Sequence, residues 1–106
     1  MELLSSLEIL GGTGLVGKRK AERVKERINH ATTILGGVSE DSTTPHNIRR
    51  TAKKSMEILQ SQKHTFGVRA ANAISILEEI LEDRNMPSYT RVKLLNVIAI
   101  LETVRD

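Results

Sequence analysis

Cysteine is absent from the chain, so disulfides, a thiol nucleophile and a thiolate metal cage are all excluded. Aromatic residues are nearly absent too. Phe66 and Tyr89 are the whole supply, and there is no tryptophan. That shortage leaves little on which unpaired bases could stack, which argues against sequence-specific reading of RNA. It also means that a core must be assembled from Leu, Ile, Val, Ala and Met, side chains that suit helix-on-helix packing. No apolar run approaches the roughly 20 residues of a membrane-spanning helix. The opening MELLSSLEIL carries Glu2 and no basic residue, which is not the pattern of a secretory leader. A cytoplasmic protein with no membrane association is expected, and 106 residues suffice for one domain.

What the chain does have is an internal repeat. Shifting the sequence by 42 residues aligns Arg27 with Arg69, Ala31 with Ala73, Ile34-Leu35 with Ile76-Leu77 and Ile58-Leu59 with Ile100-Leu101. The same shift pairs Glu40-Asp41 with Glu82-Asp83, Pro45 with Pro87 and Arg49 with Arg91. Each unit reads as helix, tight connection, helix. Val24, Ile28, Ala31, Leu35 and Val38 step by four and three, one stripe of a helix, and Ile48, Ala52, Ser55, Met56 and Leu59 form the next. Phe66, Ala70, Ala73, Ile74, Leu77 and Leu81 supply a third stripe. Val92, Leu95, Ile98, Leu101 and Val104 supply a fourth, widened by Leu94, Ala99 and Ile100. The two prolines fall where helices must stop and restart.

The expected fold is all-α, an antiparallel four-helix bundle of two tandem 42-residue helix-turn-helix (HEAT-like) units. Its helices are predicted at about 18–38, 45–60, 67–82 and 87–104. Repeat 1 runs over about 18–60 and repeat 2 over about 61–104, within a domain spanning 18–106. Residues 1–17 are expected to be a flexible extension.

The kernel E-D-x-x-x-P-x-x-x-R occurs at 40–49 and again at 82–91. An acid at a helix C-terminus and an arginine near a helix N-terminus both oppose the helix dipole. Two misplaced charges on adjoining ends make sense if they face each other. Structural ion pairs Asp41–Arg49 and Asp83–Arg91 are therefore expected to brace the turns.

The stretches SEDSTTPHNIRR, VRAANAISILEEILEDRNMP and LETVRD resemble signature segments of uncharacterised protein family 0147, a group of small archaeal proteins. The resemblance covers about residues 24–105. It implies an all-helical bundle in an archaeal, intracellular setting, and it implies no activity.

One segment points elsewhere. GGTGLVGK, residues 11–18, fits both G-x-G-x-x-G and G-x-x-x-x-G-K. A dinucleotide fold, however, needs strands on either side of the crossover helix, and no β-branched run follows. In the P-loop reading, Arg19 stands where the Mg²⁺-ligating Ser/Thr belongs. No nucleotide site, cofactor or small-molecule substrate is expected. His30, His46 and His64 lack metal-ligand spacing. Glu78, Glu79, Glu82 and Asp83 read as a solvated acidic helix end, and no hydroxyl has a base beside it. The chain reads as a non-enzyme.

Charge is asymmetric. Residues 18–54 hold ten Lys/Arg against four Asp/Glu, whereas residues 55–106 are nearly balanced. Lys18, Arg19, Lys20, Arg23, Arg50, Lys53 and Lys54 are candidate phosphate contacts. Leu94 and Ile100, on the broad apolar face of the last helix, are candidates for a dimer contact. The leading functional expectation is a helical interaction module that binds a protein partner or itself. The alternative is an RNA-contacting accessory protein associated with a ribonucleoprotein such as the ribosome.

Overall fold

A computed structural model describes residues 12–106, with side chains from Arg19 onward. The described residues form four helices: α1 (Gly12–Glu40), α2 (His46–Gln60), α3 (Phe66–Ile80) and α4 (Ser88–Glu102). The last three match the expected bounds to within two residues. α1 begins six residues earlier than expected, so Gly12 to Lys18 of the glycine-rich segment lie in a helix. Residues 1–11 of the expected extension lie outside the described residues. Among those described, no helix is long and apolar enough to cross a membrane.

Pro45 and Pro87 occupy the N-cap positions of α2 and α4, with φ/ψ of −53/146° and −58/145°. A proline costs nothing there, because its missing N–H would find no helical partner. Its carbonyl still accepts the first helical bond, from Arg49 N (3.1 Å) in one case and Arg91 N (3.0 Å) in the other. The residues before each proline close with matching bonds. Thr44 N donates to Asp41 O (3.0 Å), and Met86 N donates to Asp83 O (3.3 Å). α3 starts differently, on Thr65, whose hydroxyl accepts from Val68 N.

The helices pack in cyclic order, α1 on α2, α2 on α3, α3 on α4 and α4 back on α1. The core repeats with the sequence period. Ile28, Ala31 and Leu35 are buried, as are Ala70, Ala73 and Leu77. Thr44, Ile48, Ala52, Ser55 and Leu59 are matched by Met86, Thr90, Leu94, Val97 and Leu101. Volumes trade between the partners: Ala52 stands against Leu94 in the pattern, and Ile28 against Ala70. Differences of this kind let equivalent layers interdigitate at interior density.

α4 departs from the expected stripe. Thr90, Leu94, Val97, Ile98 and Leu101 face inward, and Val92 and Leu95 face out. Leu94, expected on a dimer face, has no exposed surface. Ile100 is half-buried and packs against the core. Once α1 and α3 flank α4 on either side, the direction of burial is fixed by both neighbours, and the face that includes Leu94 is the one they enclose.

Candidate functional site

The recurring kernel organises both interhelical turns at one end of the molecule, though not as direct ion pairs. The Asp41 carboxylate accepts from Thr43 N (2.9 Å), the Thr43 hydroxyl (2.6 Å) and the Thr44 hydroxyl (3.3 Å). Asp83 accepts from Asn85 N (2.8 Å) and from the Asn47 side chain (2.6 Å). Arg91 does meet Asp83, but at its main-chain oxygen (3.3 Å), and it also donates to Leu81 O (2.5 Å). The expected Asp83–Arg91 bracing thus acts through carbonyls. The physical reason is local. An aspartate before a turn finds the N–H two residues on as its nearest donor, while the carbonyls that end α3 lack helical partners and carry the negative pole of the dipole.

Two more arginines do the same work. Arg69 donates from Nε to His64 O (2.8 Å) and from Nη1 to Leu59 O (3.5 Å), with its guanidinium 4.8 Å from the centre of the Phe66 ring. Arg27 of α1 donates to Thr103 O (3.4 Å), just beyond α4. The ends of α2, α3 and α4 therefore each receive an arginine from the next helix in the ring. Arg49 is the fourth member of the set, and it differs: its Nε is buried without a hydrogen-bond partner. The expected Asp41–Arg49 pair is replaced by the Thr43 and Thr44 bonds to Asp41.

The two turns also grip each other. Asn47, at the start of α2, reaches Asp83. Tyr89, at the start of α4, reaches the Thr43 hydroxyl beside Asp41. Between them, the buried hydroxyls of Thr44 and Thr90 bond at 3.1 Å. At the opposite end Asp106 ties down the α2–α3 connection, accepting from the Thr65 hydroxyl (2.7 Å) and Gly67 N (2.8 Å). A Cβ at position 67 would lie 2.7 Å from the Asp106 carboxylate, so any larger residue there must displace that side chain from its bonds.

These bonds hold three carboxyls below their ordinary value of 3.8: Asp41 through the Thr43 hydroxyl and then its N–H, Asp83 through Asn85 N–H and then Asn47, and Asp106 through Thr65 and then Gly67 N–H. A depressed carboxyl contributes stability that is present above the unfolded-state pKa and lost as pH falls through the folded one. Thermal melts should therefore weaken below about pH 3.8. The variant carrying Asp41→Asn, Asp83→Asn and Asp106→Asn should show a flatter acid limb. An unchanged limb would remove these carboxyls from the account.

The basic residues fall into separate places. Lys20 and Arg23 line a groove between α1 and the end of α4, together with Val24, Arg27, Thr103 and Arg105. Lys54 lines a different groove, between α2 and α3, with Thr51, Ile76, Glu79, Ile80 and Asp83. Arg19, Arg50 and Lys53 are exposed, and the side chain of Lys18 lies outside the described residues. Lys20 and Arg23 thus share one groove, and Lys54 lines another. Arg105 was missed as a groove residue because it is remote in sequence; only the return of α4 to α1 brings it in. His30, His46 and His64 are all exposed. Among the described residues no three His, Asp or Glu side chains gather as metal ligands.

Among the described residues these features define an all-helical fold of four helices, three of which end on carbonyls capped by an arginine from the next helix in the ring. The chain belongs to the uncharacterised protein family UPF0147, whose model matches residues 16–104. The match begins eight residues before the sequence signature at Val24. A UPF0147 protein of Metallosphaera sedula is 48% identical over 80 residues, covering 76% of this chain and 90% of its own length. One from Sulfurisphaera tokodaii is 46% identical over the same coverage. Two crystal structures share the fold. The protein of unknown function MMP1188 has a TM-score of 0.76 at 33% identity, covering 77% of this chain and 93% of its own. A UPF0147 protein from Thermoplasma acidophilum has a TM-score of 0.74 at 28% identity, covering 79% and 99%.

Proposed function

We propose that the protein is a non-enzymatic interaction module: a rigid antiparallel bundle of two HEAT-like units that associates with a second copy of itself through the outer strip of α4. The exposure of Val92 (66%) and Leu95 (50%) carries this reading. They lie one turn apart on α4, and exposed Ala99 follows a turn later. Two such strips packed antiparallel would form an isologous contact, the same patch on both copies. Supporting a non-catalytic role, the most closely bonded polar side chains, Asp41, Asp83, Asp106, Arg69 and Arg91, are all engaged at helix ends and turns. The reading assumes a cytoplasmic setting.

Three side chains fall short of the roughly 800 Å² per partner of a standard stable complex, so the association should be weak and concentration-dependent. Sedimentation velocity across the micromolar range should show dimer increasing with concentration. The Val92→Ser/Leu95→Ser variant should remain monomeric with an unchanged melt. A wild-type protein that stays strictly monomeric at high micromolar concentration would discard the second copy as the occupant of this strip.

A further inference from the structure

We infer that the groove between α1 and the end of α4 binds the sugar–phosphate backbone of nucleic acid, without regard to base sequence. This goes beyond the α4 reading and is independent of it. Four cations, Lys20, Arg23, Arg27 and Arg105, line one groove of about 300 Å³. Lys20, Arg23 and Arg105 are exposed. Placing four like charges together raises their mutual repulsion, which an anion entering between them would relieve.

Opposing charges lie beside the groove rather than among its lining residues, the exposed Glu102 next to Thr103 being one, on the neighbouring groove that Arg105 also lines. Asp106 lies close enough to Lys20 to feel its charge, but its carboxylate is held by Thr65 and Gly67. The C-terminal pole of α4 would repel an anion, and Arg27 already covers Thr103 O there with one of its five N–H donors. Glu22 and Glu26 are exposed and are not among the residues lining the groove.

Spacing selects the ligand. At 1.5 Å rise per residue, Lys20 to Arg27 spans about 10 Å of α1, the axial length of about three successive phosphates in one strand of a duplex. A single phosphate ion would engage only part of such a row. The two aromatic residues sit elsewhere, Phe66 beneath Arg69 and Tyr89 at the opposite turns. Without a stacking platform, contacts run to the backbone of a duplex rather than to splayed bases. The basic cluster on α2 is the weaker rival, because the groove that Lys54 lines also contains Glu79 and Asp83.

The test is fluorescence anisotropy of the full chain with a short labelled RNA duplex, across salt from roughly 50 to 200 mM. Log affinity should fall with log salt at a slope of about −3, as expected for three to four phosphate contacts. The Lys20→Gln/Arg23→Gln/Arg105→Gln variant should lose at least about tenfold in affinity at the lower salt, with its slope falling to about −1. Arg27 is left in place because it covers the end of α4. Arg50→Gln/Lys53→Gln/Lys54→Gln and Val92→Ser/Leu95→Ser should bind as wild type. If the groove variant loses helicity, Arg23→Gln alone should still reduce the slope by about 0.9. A DNA duplex binding comparably would support a backbone contact. The inference is overturned if no duplex binds at low salt, or if both basic triple variants lose equally. It is also overturned if polyglutamate or free inorganic phosphate displaces the RNA as well as unlabelled duplex does.

Discussion

Leu94→Ala should cost about 3 kcal/mol of folding stability, the usual loss for emptying a fully buried leucine site, and lower the melting temperature by roughly 15 °C for a domain of this size. The argument rests on burial from all sides. Leu94 is fully enclosed, in line with Ile98 and Leu101 on the inward face of α4. Its removal leaves a cavity that rigid helices close only in part. Val92→Ala, two residues away at 66% exposure, should change stability by less than about 0.5 kcal/mol. Chemical denaturation of both variants decides the matter. Equal, small losses would mean that Leu94 is not enclosed and would return it to the protein surface.

Arg91→Met should destabilise the fold and Arg49→Met should not, although the two arginines occupy the same place in the 42-residue pattern. Arg91 is half-buried and donates to Leu81 O and Asp83 O. Methionine keeps the aliphatic stem but leaves both carbonyls unmet, and a hydrogen bond from a charged donor contributes about 1.5–3 kcal/mol. A loss of about 2 kcal/mol is expected. Arg49 holds a buried Nε with no partner, a group whose desolvation is uncompensated. Replacing it with a flexible apolar side chain should be neutral or stabilise by up to about 1 kcal/mol. Urea unfolding measures both, and a loss at Arg49 as large as that at Arg91 would sink the distinction.

The helices were legible in the sequence because their stripes are periodic and because proline marks the starts of α2 and α4. Val24, Ile28, Ala31, Leu35 and Val38 are all buried as their spacing predicts. α4 was harder. It is apolar on nearly every side, so periodicity alone gave no unique inward face. The repeat held the missing signal: shifting Ala52 by 42 residues lands on Leu94, and shifting Ser55 lands on Val97. Both pairs are buried. The kernel was legible as a bracing element but not in its chemistry. Sequence cannot show whether an arginine meets a carboxylate or the carbonyl beside it. The groove was partly legible, since Lys20 and Arg23 were evident as basic residues of the first helix. Arg105 was not, because its place depends on the ring closing.

The mutual grip of the two turns bears on how the chain can be cut and joined. Asn47 reaches from the first hairpin to Asp83, and Tyr89 reaches from the second to Thr43. Each hairpin carries what the other needs, so the connection at residues 61–65 serves more as a tether than as a shaping element. A longer tether should be tolerated, because loop-closure entropy rises by only about 0.6 kcal/mol per doubling of length. The exceptions are its last two residues, His64, whose carbonyl accepts from Arg69, and Thr65, whose hydroxyl holds Asp106. Insertions are best placed between Gln62 and Lys63, and a break there would leave two complementary halves whose reassembly depends on concentration, where the intact chain has no such dependence.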